Sequence, residues 1–391
     1  MPFDTPPGVS LEAARKLHAY LRRTHLNDFL LVGPDPGIRL ELRLWRFLKS
    51  YASFLPWHDS YTFLQTQGYW CLANWKLFEL TGESNFQACA TQAARKLLDL
   101  QTPDGYWTYP LPQRRHRIAT IEGNWAALAL IETYEQLEET TLRDPLLKGA
   151  RRWYEFLISR IGFQEHETGR AVNYFDRPRG KVPNNSVSTL YFLARLSQAA
   201  QDSAILEHSK GLVEFLTHVQ LSSGELPYNI ESPQEARRDH YLCFQYNAFQ
   251  LLELAWTFTL LGKQELRPVL DKLAGFLAGG VSENGASRFD CFRRHPEVNY
   301  YTAVLGAAML EAHRQGLGDY AELGRRCFRR LLDRQQAEGN FEYSEKDYGL
   351  FRDRRSYPRY QAMILFHLLW AYRQEKLNPG GVPLPSREKT G

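Results

Sequence analysis

The chain is poor in cysteine, in net charge and in long apolar runs, and each shortage closes off a class of protein. Five cysteines in 391 residues (Cys71, Cys89, Cys243, Cys291 and Cys327) are an odd number and form no CxxC pair. That argues against a disulfide framework and for reduced thiols in apolar surroundings. A formal net charge of +4 is too small to imply nucleic acid or an acidic membrane surface as a partner. No run reaches the roughly 18 apolar residues of a membrane span. The opening MPFDTPPGVSLEAARK lacks the apolar core of a signal peptide. The expectation is a soluble, cytoplasmic chain, and its oligomeric state is left open.

Aromatic residues, by contrast, are abundant: nine Trp and 21 Tyr in a chain that is 43% hydrophobic. Tyr and Trp pair an apolar body with a polar tip, which suits pocket walls as well as cores. Glycines that follow a polar helix end recur at Gly105, Gly169, Gly224, Gly285 and Gly339, spaced 64, 55, 61 and 54 residues apart. Gln101, Gln220 and Gln335 each precede their glycine by four residues, and Tyr109, Tyr228, Phe289 and Tyr343 follow theirs by four. Glycine permits the left-handed turn that ends a helix, and a short extended segment suits what comes next. A period this long means stacked units that bury their apolar faces against one another.

Two helices fit between successive glycine turns. Segments 59–80, 124–137, 186–199, 240–261, 300–314 and 359–374 are apolar on nearly all sides, as in AMILFHLLWAY, and belong inside. The others, such as GRRCFRRLLDR, carry Lys and Arg on one face and belong outside. Counting 38–55 as the first outer member gives six inner and six outer helices. The expected fold is therefore an all-α (α/α)6 toroid with an N-terminal helical extension. Residues 1–36 are assigned to the extension, 37–376 to the toroid and 377–391 to a flexible tail. Long loops would then gather at the N-terminal ends of the inner helices.

The stretch Gln101-Thr-Pro-Asp-Gly105-Tyr-Trp107 is similar to the QW repeat of terpenoid cyclases, with Gln220…Gly224 and Gln335…Gly339 as degraded copies. The resemblance implies the toroid that this superfamily shares with six-hairpin glycosidases, polysaccharide lyases and sugar epimerases. Fold alone does not determine the reaction. Neither the DxDD motif of proton-initiated cyclases nor a DDxxD diphosphate motif is present, which counts against terpenoid chemistry and leaves it the alternative reading.

The starts of the inner helices collect polar side chains that would ring one mouth. N-capping by Asp59, Asn124, Asn185, Asp239 and Asn299 would account for one residue per helix. It would not account for the Tyr, His and Gln beside each cap. A hydroxylated ligand suits this lining, with aromatic faces for sugar rings and forked amides for hydroxyls. The expected activity is on an acidic, uronate-containing saccharide, as a lyase or C5-epimerase type of enzyme or as a glycoside hydrolase. A non-enzymatic toroid that binds glycan or protein is a third reading.

Proton abstraction beside a carboxylate calls for Tyr or His, which selects Tyr300 and His240; hydrolysis calls for two carboxylates, which selects Glu122 and Asp239. Trp107, Asn124, Asn184, Asn185, Arg288, Tyr301, Arg359 and Tyr360 are the expected substrate-binding set. The five long loops hold 14 Arg and 2 Lys against 17 Asp and Glu, so most of these arginines are expected to pair internally rather than form a polyanion groove. Asp239, His240, Cys243, Cys291 and His295 offer zinc-type donors without a standard zinc spacing, and no metal or cofactor is assigned.

Overall fold

A computed structural model describes residues 8–38, 43–138, 141–177, 180–231, 235–347 and 349–377. Its helices are α1 (Gly8–Thr24), α2 (Arg43–Tyr51), α3 (Leu64–Thr81), α4 (Ser84–Leu100), α5 (Thr120–Gln136), α6 (Arg143–Phe156), α7 (Pro183–Ala200), α8 (Ser209–Val219), α9 (Cys243–Leu261), α10 (Arg267–Ala278), α11 (Asn299–Arg314), α12 (Ala321–Leu332) and α13 (Pro358–Leu377). Helices α3, α5, α7, α9, α11 and α13 each pack on the next, and α13 returns to α3, closing an inner ring. The fold is an (α/α)6 toroid.

Inner and outer helices differ for a compositional reason. Helix α3 buries residues around its whole circumference, from Gln67 and Trp70 to Trp75. Helix α12 turns Gly324, Cys327, Phe328 and Leu331 inward, and its four arginines occupy the other face. A helix flanked by two neighbours and an outer layer can place charge only toward the axis or at its ends.

The glycine motif proves to be the joint between repeats. Gly105 has φ near +92° and Gly224 near +96°, a conformation that glycine adopts without strain. Each glycine also lies against the backbone of the next outer helix: Gly105 on Arg152, Gly169 on Gly211, Gly224 on Lys272, Gly285 on Arg326 and Gly339 on Lys16. The preceding glutamine ties the joint. Gln101 Nε2 donates to the carbonyls of Gly105 (2.8 Å) and Gly149 (2.9 Å), and Gln220 Nε2 to those of Gly224 and Val269. The resemblance to the QW repeat is thus accounted for by architecture.

That joint also identifies the sixth outer helix. Gln335 Nε2 donates to Gly339 O and to Ala13 O, both at 2.8 Å, and α1 packs on α13. The segment read as lying ahead of the ring therefore contributes its closing outer helix. The assignment of 38–55 to that place is corrected. Helix α2 leaves Leu44 and Trp45 73% and 58% exposed, whereas α1 buries Ala13, Ala14, Leu17 and Leu21. The tail expected from 377 lies, apart from Leu377, outside the described residues.

Removing the closing amide tests this seam. Gln335→Ala leaves two carbonyls without their donor, at a cost of roughly 1–3 kcal/mol. Amide exchange in α1 should accelerate while that in α9 stays as in the parent. Equal acceleration in both helices would mean that the glutamine does not hold the closure.

Short strands line the mouth of the ring. They are β1 (Leu26–Asn27) with β2 (Leu30–Leu31), β3 (Phe163–Glu165) with β4 (Arg170–Val172), and β5 (Glu297–Val298) with β6 (Ser344–Asp347) and β7 (Phe351–Asp353), all antiparallel. Inner-helix amides hold extended segments as a neighbouring strand would. Gln67 bonds both N–H and C=O of Leu31, Asn247 those of Leu226, and Gln361 those of Phe341. Asn247 and Gln361, polar residues near the starts of α9 and α13, are therefore engaged by backbone. A primary amide carries one donor and one acceptor side by side, which is what an extended residue presents.

Candidate active site

None of the five residues expected as N-caps occupies that position. The caps of α3, α5, α7, α9 and α11 are Phe63, Ala119, Val182, Leu242 and Val298, and none makes a side-chain cap bond. Extended backbone leads into α3, α5, α7 and α11, and a left-handed Leu242 into α9; Tyr61, for example, pairs with Gly33 and keeps α3 from starting at 59. The polar side chains near these helix starts are left for other work.

Part of that work is a cavity of about 200 Å³ on the ring axis. Six tyrosines line it, Tyr109, Tyr174, Tyr228, Tyr246, Tyr300 and Tyr360, together with Gln65, Asn184, Asn185, Gln245, Glu253 and Arg359. Tyr300 and Tyr360 stack with centroids 4.2 Å apart. Burial pushes the phenols of Tyr246 and Tyr300 well above their ordinary range, and that of Tyr228 up to about 12. These phenols keep their protons and so are available as hydrogen-bond donors.

Glu122 sits behind the wall, only 2% exposed. Its Oε2 accepts from the Gln65 N–H at 2.9 Å, and its Oε1 lies 3.5 Å from Arg359 Nη2. Arg359 also donates to Gln65 Oε1 at 2.7 Å, lies 3.5 Å from Asp35 and covers the face of Phe63 at 4.5 Å. Burial raises the Glu122 carboxyl above its ordinary range; Arg359 and the amides of Leu64 and Gln65 oppose the rise without cancelling it.

Several buried polar atoms in this wall have no partner among the described residues: Asn185 Nδ2 and Oδ1, Gln245 Oε1, Glu253 Oε2 and Arg359 Nε. Each such atom costs about 1–3 kcal/mol unless something fills it, so the cavity is prepared for a polar guest. A second hollow of about 450 Å³, at the C-terminal ends of the inner helices, differs. There Arg195 pairs with Glu132 and Glu135, Arg314 with Glu311 and Arg373 with Glu79, while Lys76 lies over the Phe366 ring.

The expected site residues separate into three groups. Tyr300, Tyr360, Arg359, Asn184 and Asn185 line the cavity, and Glu122 lies one bond behind it. Trp107 and Asn124 are built into the core: Trp107 Nε1 donates to Leu97 O, while Asn124 Oδ1 accepts from Trp153 Nε1 at 3.0 Å. Tyr301 packs between Tyr300 and Phe289 and does not line the cavity; nor does Arg288. Asp239 pairs with Arg237 at 2.7 Å, and His240 pairs with Glu225, both outside the cavity. The two carboxylates expected to face each other across the ring do not share it.

Glu253 was missed by the sequence reading. It is the one carboxylate inside CFQYNAFQLLELAWTFTLL, and it follows Gln245 and Phe249 at intervals of four, on one stripe of α9. A lone acid in an otherwise apolar helix that must be buried was the available signal. Burial alone raises its carboxyl well above the ordinary range, so the folded chain keeps this proton to higher pH than the unfolded chain does. The stability this supplies is complete below the ordinary carboxyl range and drains away as pH rises through the raised value. Glu253→Gln should therefore match the parent's melting midpoint in acid and exceed it increasingly toward alkaline pH. A constant difference across the pH series would show that Glu253 does not titrate in this way.

No model of a known protein family matches the chain, and no curated protein sequence matches it. Solved structures do. Cellobiose 2-epimerase from Bacillus thermoamylovorans superposes with a TM-score of 0.72 at 12% identity, over 93% of this chain and 99% of that one. An unsaturated glucuronyl hydrolase specific for heparin gives 0.68 at 13% identity, over 95% and 99%. A possible GH105 member from Salmonella enterica serovar Paratyphi A gives 0.68 at 15%, over 95% and 96%. At such identities the likeness is one of fold. No described helix is long and apolar enough to cross a membrane.

Proposed function

We propose that this chain is a carbohydrate-active enzyme that takes the terminal residue of an acidic saccharide into the tyrosine-lined cavity and acts on it by carboxyl acid–base chemistry. The observation that carries this reading is the set of unpartnered buried atoms on Asn185, Gln245, Glu253 and Arg359, all lining one cavity. Forked amides, neutral phenols and one guanidinium form a donor-rich wall that suits hydroxyls and a carboxylate. The volume of about 200 Å³ lies below the range of roughly 300–1,000 Å³ typical of larger ligands, which favours one sugar ring at a chain end over a long polymer.

Among the reactions open to such a site, hydrolysis or hydration is favoured over elimination or epimerisation. Abstracting a proton beside a carboxylate needs an unprotonated base, but Tyr300 is a neutral phenol and His240 lies outside the cavity. The groups that remain are Glu122 and Glu253, and a carboxyl that keeps its proton is a ready donor to a leaving glycosidic oxygen or to a carbon of an unsaturated ring. Fold neighbours include an unsaturated glucuronyl hydrolase, a polysaccharide lyase and a cellobiose 2-epimerase, so the choice rests on the cavity and not on them.

The test is incubation with oligosaccharides ending in saturated or unsaturated uronate. Loss of double-bond absorbance or release of a reducing end is expected, without deuterium uptake at C5. Uptake of deuterium would move the reading to epimerisation. Absence of both turnover and binding across the panel would end the saccharide proposal.

A further inference from the structure

Away from the cavity, Glu225, His240 and Cys291 bring a carboxylate, an imidazole and a thiol together, with their ligand atoms all within 4.8 Å of one another. They come from three places: the turn after Gly224, the approach to α9, and the loop between α10 and α11. His240 Nδ1 lies 2.9 Å from Glu225 Oε1, and Cys291 Sγ is 3.5 Å from Glu225 Oε2. Cys243, the first residue of α9, places its Sγ 3.4 Å from that of Cys291. The Glu225 side chain is fully buried, while Cys291 is exposed and gives an ion a way in. Nearby acids are engaged elsewhere: Asp290 with Arg293 and Asp239 with Arg237. His295, considered with this group from sequence, lies instead beside Glu297.

We propose that Glu225, His240 and Cys291, with Cys243 as a fourth donor, bind one zinc-class divalent cation that clamps these three segments of the rim. A tetrahedral zinc with bonds of about 2.0–2.3 Å holds its donors roughly 3.3–3.8 Å apart, and the thiol–thiol and thiol–carboxylate separations already match. The mixture of sulfur, nitrogen and oxygen selects zinc over calcium or magnesium. An ion pair between His240 and Glu225 would explain two of the four groups but not why the Cys291 thiol meets the same buried carboxylate with the Cys243 thiol beside it. Thiolate ligation expels the thiol protons, so uptake weakens as the pH falls.

The experiment uses the full chain, reduced and stripped by a chelator, then titrated with zinc chloride against a chromophoric competitor. One ion per chain, a rise in melting midpoint and a thiolate charge-transfer band with cobalt(II) are expected. Cys291→Ser and Glu225→Gln should each weaken zinc by at least about tenfold, while Cys89→Ser leaves it unchanged. Helical circular dichroism checks that each variant folds, and the isosteric Glu225→Gln serves if Cys291→Ser does not. Absence of stoichiometric uptake, or uptake indifferent to both substitutions, overturns the site. So does a Cys243–Cys291 disulfide that forms in air while the reduced chain takes no zinc.

Discussion

Glu122→Gln is expected to lower kcat/KM on a uronate-ended oligosaccharide by about 10²–10⁴-fold, the usual contribution of a positioned acid or base. The substitution keeps the size and the bond from the Gln65 amide, so the loss should fall on kcat more than on KM. The same carboxyl shapes the pH profile. Burial raises it, so the protonated form persists above the ordinary carboxyl range and the rate declines on the alkaline side as that proton leaves. Asp239→Asn provides the contrast, because Asp239 is tied to Arg237 away from the cavity, and it should keep the parent's rate. If Asp239→Asn proves as damaging as Glu122→Gln, the cavity centred on Arg359 is not where the reaction occurs.

The largest effect on stability should come from adding one methyl group at a repeat joint. In Gly224→Ala the new Cβ would lie 2.3 Å from the Lys272 carbonyl oxygen, with φ near +96°. Left-handed backbone costs an alanine about 1–2 kcal/mol, and overpacking adds about 1–3 kcal/mol. A total of about 2–5 kcal/mol is expected, read as the shift of a denaturant midpoint. Gly82→Ala separates the two contributions: Gly82 has φ near +72°, but its Cβ would meet nothing within 4 Å. That variant should lose only the conformational part. Equal losses at both positions would show that backbone conformation alone, and not close approach to the next outer helix, makes glycine necessary at the joint.

Local chemistry carried the architecture. All-round apolar helices, one-sided arginine faces and recurrent Gln-to-Gly turns are short-range patterns, and periodicity places them inside or outside a ring without long-range information. From those patterns alone the (α/α)6 toroid and the end that holds the long loops could be read. What closed the ring was decided in three dimensions. Helix α1 and segment 38–55 look alike as amphipathic stretches, and only packing on α13 and the bond from Gln335 to Ala13 distinguish them.

The site divides in the same way. Tyr300, Tyr360, Arg359, Asn184 and Asn185 were legible because an inner-helix start has one axial side. Asn124, Asn247 and Gln361 began from equivalent positions yet satisfy other parts of the protein, since a rotation of about 100° per residue turns a side chain from the axis toward a neighbouring helix. Asp239 and His240 precede α9 rather than open it, because Leu242 takes a left-handed conformation with φ near +48° and delays the helix to Cys243. Glu253 lies three turns into that helix, and its role depends on how deep the cavity reaches. Residue type and period therefore determined which helices surround the axis. Which side chains meet there was left to the tertiary structure, because helix phase and depth depend on contacts between segments distant in the chain.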